Sequence, residues 1–212
     1  MPSIDEDSDE NKDTVSACFR YIAAVDCKAA LPCLVTLIEK EDEDFFDGAL
    51  TCIGQTGSRE EAMFLAEYLD RDDLSVSQRQ SLMKVLGKIK AVETWEKLSE
   101  IAQNEDENSF VRMYATEAIG AMEKPESEEI ILKLFETTDP NLRVYVIKGI
   151  SYFHDEDADN LIIQALRDSQ YKVRLEAVKL IADRNLTQTV PNLIYRCKDK
   201  NEQANVKEEC YK

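Results

Sequence analysis

The feature that most constrains the fold of this chain is a phrase that recurs every 30 to 33 residues. Each copy can be aligned on one anchor residue, which is an arginine in four of them. Repetition at a period of about 20 to 50 residues is the signature of folds that stack one small unit. The sequence therefore predicts six complete copies of a unit and the start of a seventh. The anchors are Ser16, Phe46, Arg79, Arg112, Arg143, Arg174 and Lys207.

Two helical patterns follow each other within every copy. The positions one before and three, six and seven after the anchor are apolar in all six complete copies, except at Gln78. These offsets lie on one face of a helix. The position nineteen after the anchor is always a branched aliphatic residue with further apolar residues around it at helical spacing. One helix pair cannot bury both faces, so successive pairs must stack. The nineteenth positions are Val35, Leu65, Leu98, Ile131, Ile162 and Leu193.

Residues typical of helix ends separate these patterns. Asp139 followed by Pro140 indicates a helix N-cap with proline in the first turn, and Ser58 with Glu61 indicates a capping box. We therefore predict an all-α fold, a right-handed α-solenoid of about six helix–turn–helix repeats over residues 13–212, after an acidic disordered tail at residues 1–12. The predicted repeats are 13–41, 42–72, 73–105, 106–138, 139–167 and 168–200, with a partial seventh at 201–212.

The recurring phrase resembles HEAT-like repeats, particularly the short type also found in phycobilisome lyases. The first copy departs from the pattern, because Ser16 replaces the arginine. The resemblance implies a curved stack, with first helices on the convex side and second helices lining a concave side that commonly receives a partner. It also implies a scaffold or adaptor without catalysis. The residues that carry the resemblance are Asp106, Val111, Arg112, Ala115, Ala118, Ile119 and Gly120 in one copy, and Asp168, Val173, Arg174 and Ala177 in another.

Acidic residues lie shortly before the arginine anchors. Asp73, Asp106 and Asp168 are six residues before an anchor, and Asp139 is four residues before its own. An acid in one loop can pair with an arginine of the same or a neighbouring repeat, which predicts a structural ladder. A phosphate-binding stripe is the alternative for these arginines. The predicted ladder consists of Arg79, Arg112, Arg143 and Arg174.

The sequence offers little for catalysis or metal binding. His154 is the only histidine, and its acidic turn FHDEDAD lacks the glycine and the spacing of a calcium-binding EF-hand, so we expect a solvated turn. No phosphate loop, GxGxxG or Ser-His-Asp signature is present. Cys18, Cys27 and Cys33 lack zinc-ligand spacing, and six cysteines without a CxxC pair indicate free thiols in a reducing compartment. We therefore predict no catalytic residue, no metal site and no cofactor.

The charge of the chain limits the class of its partner. A formal net charge of −17 disfavours nucleic acid and anionic membranes, and no stretch is long and apolar enough for membrane insertion. We predict a cytoplasmic, non-catalytic scaffold that binds a protein or peptide, with a basic partner favoured, on the concave face. The alternatives are a ligand- or chromophore-handling lyase-like enzyme subunit and, for the location, an exported parent protein whose leader has been removed.

The predicted binding surface consists of second-helix residues that the apolar positions do not use. Tyr68 and Trp95 are interface anchors in this prediction, and packing between repeats is their alternative. The seventh copy ends before the apolar residues expected six and seven after Lys207, which predicts an abbreviated cap or a chain cut from a longer repeat protein. The predicted partner-binding residues are Tyr68, Glu93, Trp95, Glu96, Glu100, Glu129, Lys133, Gln164 and Arg167.

Overall fold

A computed structural model describes residues 9–40, 43–71 and 73–212. Over these residues the chain forms thirteen α-helices, four short 3-10 helices and no β-strand, so the prediction of an all-α fold is confirmed. The α-helices are α1 Asp9–Ala24, α2 Leu31–Glu39, α3 Glu43–Thr56, α4 Arg59–Ala66, α5 Val76–Ile89, α6 Trp95–Gln103, α7 Ser109–Ala121, α8 Pro125–Leu134, α9 Pro140–Ile150, α10 Glu156–Ala165, α11 Tyr171–Asp183, α12 Val190–Lys198 and α13 Ala204–Cys210.

The helices follow the register of the sequence repeat. Odd-numbered helices carry the anchors and are the first helices of their copies, while even-numbered helices carry the nineteenth positions and are the second helices. Helix ends are formed as expected: Ser58 and Glu61 make a capping box at α4, and Asp139 caps α9 by accepting a hydrogen bond from the Asn141 amide. The first helix of the seventh copy is α13, which begins at Ala204.

The predicted N-terminal boundary falls inside a helix. Residues 1–8 of the predicted tail lie outside the described part of the chain, but α1 begins at Asp9 rather than at residue 13. The segment from 9 to 12 contains neither glycine nor proline, and acidic residues are favourable in the first turn of a helix. Four residues of the predicted tail therefore belong to the first helix.

The chain divides into two compact units, Met1–Leu98 and Ser99–Lys212, at a point within α6 that the repeat itself does not mark. In unit one, α1 packs against α3 and α3 against α5, and α2 and α4 pack beside them. This arrangement buries the apolar faces that the spacing predicted. Fully buried side chains of unit one include Leu34, Phe46, Ile53, Leu65, Leu82, Leu86 and Leu98.

Unit two repeats the same packing. Helix α9 lies between α7 and α11, α11 also contacts α13, and the second helices α8 and α10 each contact the first helices on either side of them in the sequence. The nineteenth positions Ile131 and Ile162 are fully buried, whereas Leu193 on α12 is only half-buried. Helix α12 has no fully covered side chain at all, which leaves much of its apolar face in solvent.

Helices α7 and α9 approach each other closely at two glycines. A methyl group on Gly120 would lie 2.7 Å from the Cα atom of Gly149, and one on Gly149 would lie 3.0 Å from the Thr116 carbonyl oxygen. Only hydrogen atoms fit between the two backbones at this crossing. Gly120 is the glycine that lies eight residues after its anchor, so this position allows close helix packing.

Candidate functional site

Two of the anchor arginines form ion pairs with carboxylates within unit two. The guanidinium of Arg143 donates to both carboxylate oxygens of Asp168, at 2.7 and 3.1 Å, and to the carbonyl of Thr137 at 2.8 Å. Arg174 makes the corresponding pair with Glu202, with a distance of 2.8 Å from Nε to Oε2. All four of these charged side chains are largely covered. Their charges are therefore neutralised by protein groups rather than offered to a phosphate.

Each of these arginines pairs with the acid that precedes the next anchor, not its own. Asp168, bound by Arg143, lies six residues before Arg174. Glu202, bound by Arg174, lies five residues before Lys207. The pairs thus connect successive repeats, and the loop carbonyls of Asp168 and Ser169 accept further hydrogen bonds from Arg174 at 2.7 and 3.0 Å.

Arg112 has a weaker version of this connection. Its Nε donates to the Ala102 carbonyl at 3.3 Å, and its charge acts on Asp139, which precedes the next anchor. Burial favours the protonated form of Asp139, but hydrogen bonds from the Ser109 hydroxyl and the Asn141 amide, together with the charge of Arg112, hold the pKa of Asp139 below 3.8.

The predicted partners at the start of the ladder are placed differently. The carboxylate of Asp73 accepts a hydrogen bond from Arg71 Nε at 2.9 Å, on an exposed surface. Asp106 is exposed, and Arg79 is half-buried on α5. Of the two pairings that the sequence left open, unit two shows the one between neighbouring repeats at Arg143 and Asp168, and it adds an acid that was not predicted, Glu202.

A further internal arginine has no counterpart in the repeat pattern. Arg184, at the end of α11, donates to Asp159 at 2.7 Å and to the carbonyls of Ile150, Ser151 and Phe153 at 3.1, 3.0 and 2.6 Å. It thereby satisfies carbonyl groups at and beyond the C-terminal end of α9, which have no partner within that helix. Sequence reasoning missed Arg184 because no other copy has an arginine at this position.

The acidic turn around His154 caps a helix. Asp155 accepts a hydrogen bond from the Ala158 amide at 2.9 Å and is the N-cap of α10, while His154 is exposed. Glu128 lies beside this turn, and its Oε1 is buried without a hydrogen-bond partner. Burial, followed by the hydrogen bond and charge of Asp155 and the charge of Asp157, raises the pKa of Glu128 to about 7.

Tyr68 is a core residue, so its prediction as an exposed interface anchor is wrong. Its residue surface is 8% exposed, and its ring packs against Phe46 and Phe64 with centroid distances of 6.3 and 5.4 Å. The guanidinium of Arg71 lies 5.3 Å from the ring centroid. The cause is local: α4 ends at Ala66, and the 3-10 turn Glu67–Asp70 directs the ring inward.

Four of the other predicted residues lie on or just before α6. The carboxylate of Glu93 is 2.6 Å from the guanidinium of Arg59. Trp95 opens α6 and is half-buried, while Glu96 and Glu100 are exposed one turn apart. The acidic character predicted for this helix is therefore present at its surface, with Glu93 already engaged by a neighbouring cation.

The remaining predicted residues are all exposed in unit two. Glu129 and Lys133 lie one turn apart on α8, Gln164 lies near the end of α10, and Arg167 follows two residues after that helix. None of the four side chains has a hydrogen-bond or ion-pair partner among the described residues. We use the name second-helix surface for these four side chains and the exposed side chains of α12, which are Val190, Pro191, Ile194, Tyr195 and Lys198.

A groove of about 550 Å³ lies on this surface, between the end of α10 and α12. Such a volume lies within the usual range for ligand pockets, about 300 to 1,000 Å³. Of the predicted residues, only Arg167 lines it, and the residues that α12 contributes were not predicted. We call it the α10–α12 groove. It is lined by Leu166, Arg167, Pro191, Asn192, Tyr195 and Arg196.

The charge of the α10–α12 groove is positive. Arg196 lies 3.8 Å from the carboxylate of Asp199 and 3.5 Å from that of Glu202, which is longer than a normal hydrogen bond. Glu202 is at the same time held by Arg174 at 2.8 Å, so it compensates Arg196 only in part. Asp199 adds to this compensation, so Arg167, which has no acidic partner among the described residues, is the uncompensated charge of the groove.

Among the described residues, no three His, Cys, Asp or Glu side chains are grouped so that they could hold a metal ion. Within the same residues, no helix has the length and hydropathy needed to cross a membrane.

The paired helices, their 30- to 33-residue register and the arginine anchors define a protein of the HEAT-repeat class. A family profile described as "Spirochaete HEAT repeat protein" matches residues 1–212, and the chain belongs to this family. This confirms the resemblance to HEAT-like repeats. No sequence among curated proteins matches the chain.

Solved structures with the same fold share little sequence with this chain. Escherichia coli YibA is similar with a TM-score of 0.58 at 14% identity, covering 97% of this chain and 77% of that chain. At this identity the likeness shows the fold alone. Human deoxyhypusine hydroxylase in complex with glycerol is similar with a TM-score of 0.46 at 16% identity, covering 98% of this chain and 79% of that chain, a likeness too weak to bear on function.

Proposed function

We propose that this chain is a non-catalytic scaffold that binds a partner protein through the second-helix surface of unit two. The observation that carries the proposal is the contrast between its two kinds of helix. On the first helices, Arg143 and Arg174 are consumed by internal pairs. On or just after the second helices, Glu129, Lys133 and Arg167 remain exposed with no partner among the described residues.

Exposed apolar side chains support the same surface. Val190 and Ile194 on α12 are 47% and 48% exposed, and Tyr195 is 66% exposed. Aromatic residues and arginine are enriched at protein interfaces, and α12 carries both beside its exposed aliphatic residues. A hydrophobic patch on one helix of an otherwise charged surface costs solubility, so its presence favours a binding role.

The proposal assigns no catalytic residue, metal or cofactor to the chain. Acidic side chains lie on α6, on α8 and in the first turn of α10. They favour a basic segment of the partner, as expected from the net charge of −17. Helix α12 differs, since it contains Arg196 and Lys198 and no acidic residue. The surface therefore offers charges of both signs at separate places.

The test is a comparison of three baits in affinity capture from native lysate, with partners identified by mass spectrometry. The surface variant combines Glu129→Lys, Lys133→Glu and Tyr195→Ala. The matched control carries the same kinds of change on the first helices of unit two, Phe110→Ala, Lys172→Glu and Asp183→Lys, at positions that are equally exposed. Circular dichroism melting establishes that all three baits are folded.

We expect at least one protein to be retained by the wild type and the control and to be lost from the surface variant. A second variant, Glu96→Lys with Glu100→Lys, examines the exposed acidic side chains of α6. Equal partner profiles for the surface variant and the control would show that the second-helix surface does not bind the partner.

A further inference from the structure

We propose that the α10–α12 groove binds an acidic segment of the partner protein, with a carboxylate held by Arg167 and an apolar residue packed on Tyr195. This inference rests on the proposed function and names the chemistry of one part of that surface. It reverses the sign expected from the net charge, because the groove is a basic spot on an acidic chain.

The first step of the argument is the state of Arg167. It lies just beyond α10, is exposed and has no side-chain partner among the described residues. Other arginines of unit two lie close to carboxylates: Arg143 binds Asp168 and Arg184 binds Asp159. In a chain with 43 acidic residues and 26 basic ones, an arginine left without an acid is the exception. It is therefore available to a ligand.

The second step is the kind of anion that the groove fits. A guanidinium presents several N–H groups in one plane and binds a carboxylate through two parallel hydrogen bonds. Arg196 is engaged by its own acids, Asp199 and Glu202, at 3.8 and 3.5 Å, so Arg167 is the fork that remains for a carboxylate of a bound peptide.

The third step is the apolar part of the groove. Leu166 and Pro191 line it together with Tyr195, and the preceding residue of α12, Ile194, is also exposed. An ion or a small anion would leave these groups in water, whereas a peptide can cover them with an aliphatic or aromatic side chain. The groove therefore combines the two kinds of contact that a peptide segment makes.

A nucleic acid fits these observations less well. Its affinity depends on many phosphate contacts with a continuous basic surface, whereas this surface has two arginines beside the acidic residues of α8 and α10. At physiological salt the screening length is about 8 Å, so a short acidic segment feels mainly the charges in the groove. Local complementarity can then outweigh the repulsion from the rest of the chain.

The experiment measures fluorescence polarisation of two short fluorescein-labelled peptides with the full chain at physiological salt. In the first peptide, glutamates flank a pair of leucines; in the second, each glutamate is glutamine. We expect the glutamate peptide to bind at least about tenfold more tightly, the factor that one charged hydrogen bond supplies. Arg167→Gln should remove most of this difference and leave the glutamine peptide unaffected, as a double-mutant cycle requires for direct contact.

Two further variants separate the parts of the groove. Tyr195→Ala should weaken both peptides by a similar factor, because it removes an apolar contact that does not depend on charge. Lys172→Gln on α11 is the matched control, since it removes an exposed positive charge on a first helix and should change neither affinity. If Lys172→Gln weakened binding of the glutamate peptide as much as Arg167→Gln, the peptide would be attracted by the overall charge of the chain and not by the groove. This result would overturn the proposal.

The other occupants are distinguishable outcomes that would also overturn it. If inorganic phosphate or a single-stranded oligonucleotide displaces the glutamate peptide as well as unlabelled peptide does, the groove is a general anion site. If the wild type forms dimers in sedimentation and Arg167→Gln abolishes them, the occupant is a second copy of this chain. If neither peptide binds, the inference fails, while loss of a partner from the surface-variant bait would still support the proposed function.

Discussion

The guanidinium of Arg174 and the carboxylate of Glu202 form a two-point ion pair between α11 and the turn before α13, with distances of 2.8 and 2.5 Å. The side chain of Glu202 has no exposed surface, and that of Arg174 is 10% exposed. Burial favours the protonated form of Glu202, but the hydrogen bonds and charge of Arg174 more than offset this and hold the pKa of Glu202 below 4.5. The pair thus depends on both charges being present.

Breaking this pair on one side is predicted to destabilise the protein by about 3 kcal/mol or more, because it leaves a buried charge without its main partner. Arg174→Met should show this loss in urea unfolding at pH 7. The double variant Arg174→Met with Glu202→Met should recover much of it, since neither member of the pair is then charged and Arg196 keeps Asp199 as a partner. The matched control is Lys172→Met on the same helix, which is exposed and should change the free energy of unfolding by less than about 0.5 kcal/mol. Equal losses in the single and double variants would contradict the assignment.

At the close crossing of α7 and α9, packing predicts the opposite effect of a substitution on stability from the one that helix propensity predicts. Alanine normally stabilises a helix interior by about 1 kcal/mol relative to glycine. At Gly120 the added methyl group would lie 2.7 Å from the Gly149 Cα, so the two helices must separate. We expect Gly120→Ala to lower the free energy of unfolding by about 2 to 3 kcal/mol, the cost of overpacking.

The control for this change is Gly54→Ala. There the new methyl group would lie 3.1 Å from a terminal carbon of Val85, which is a side chain that can shift. Its effect should stay within about 1 kcal/mol of zero, because the gain in helix propensity offsets the tighter contact. Similar melting temperatures for both variants would show that α7 and α9 can move apart without cost.

The periodicity of apolar residues was sufficient to predict the helices, because buried positions recur at the same place in each repeat. Every nineteenth position from Leu65 to Ile162 is fully buried, as the pattern requires. The side-chain contacts of the anchor arginines were harder to predict, because each ion pair depends on how far one repeat rises above the next. Arg143 reaches Asp168, which lies 25 residues further on, rather than an acid in its own loop. Nothing in the spacing fixes that rise.

The predicted binding surface shows the same limit at the level of single side chains. Tyr68 and Trp95 looked equivalent as amphipathic residues of second helices, but the 3-10 turn after α4 places Tyr68 in the core. Arg167 was predicted as a partner-binding residue and is exposed, whereas the other groove residues Tyr195 and Arg196 were not predicted. The groove arises from the packing of α12 beside the end of α10, and no property of either segment alone reveals it.

Glu128 predicts an unusual dependence of stability on pH. Its pKa is raised to about 7 in the folded protein, above the usual 4.5, so the folded state binds more protons than the unfolded state between these values. Stability from this group is therefore fully present below about pH 4.5 and is lost as the pH rises through 7. Glu128→Gln cannot ionise and should melt at a higher temperature than the wild type at pH 8.

The difference between Glu128→Gln and the wild type should shrink steadily from pH 8 to pH 4.5, as the wild-type carboxyl becomes protonated. Glu129→Gln is the matched control, because Glu129 is the next residue on α8 and is exposed. Its melting curve should follow that of the wild type at every pH. A constant offset for Glu128→Gln across this range would mean that its effect is steric, and that the buried Oε1 does not carry an unpaired charge.

The six cysteines should differ in their rate of alkylation, because the thiolate is the reactive form and must also be accessible. Cys18 and Cys33 are exposed, whereas Cys52 is buried and its thiol donates to the Phe19 carbonyl at 3.2 Å. Burial raises the pKa of Cys52. For Cys210, burial and then the charge and hydrogen bond of Cys197 raise the pKa to about 12.

We therefore expect iodoacetamide at pH 8 to modify Cys18 and Cys33 first, and Cys52 and Cys210 at least about tenfold more slowly, as followed by peptide mass spectrometry. The denatured chain provides the reference, since there the four thiols should react at similar rates. Cys210 distinguishes slow reaction caused by burial from slow reaction caused by a raised pKa. It is only half-buried, so its protection has to come from its raised pKa. Its rate should therefore rise steeply between pH 8 and pH 10, while that of Cys52 stays limited by opening of the core. Native Cys210 reacting as fast as Cys33 at pH 8 would show that Cys197 and Cys210 are not in contact.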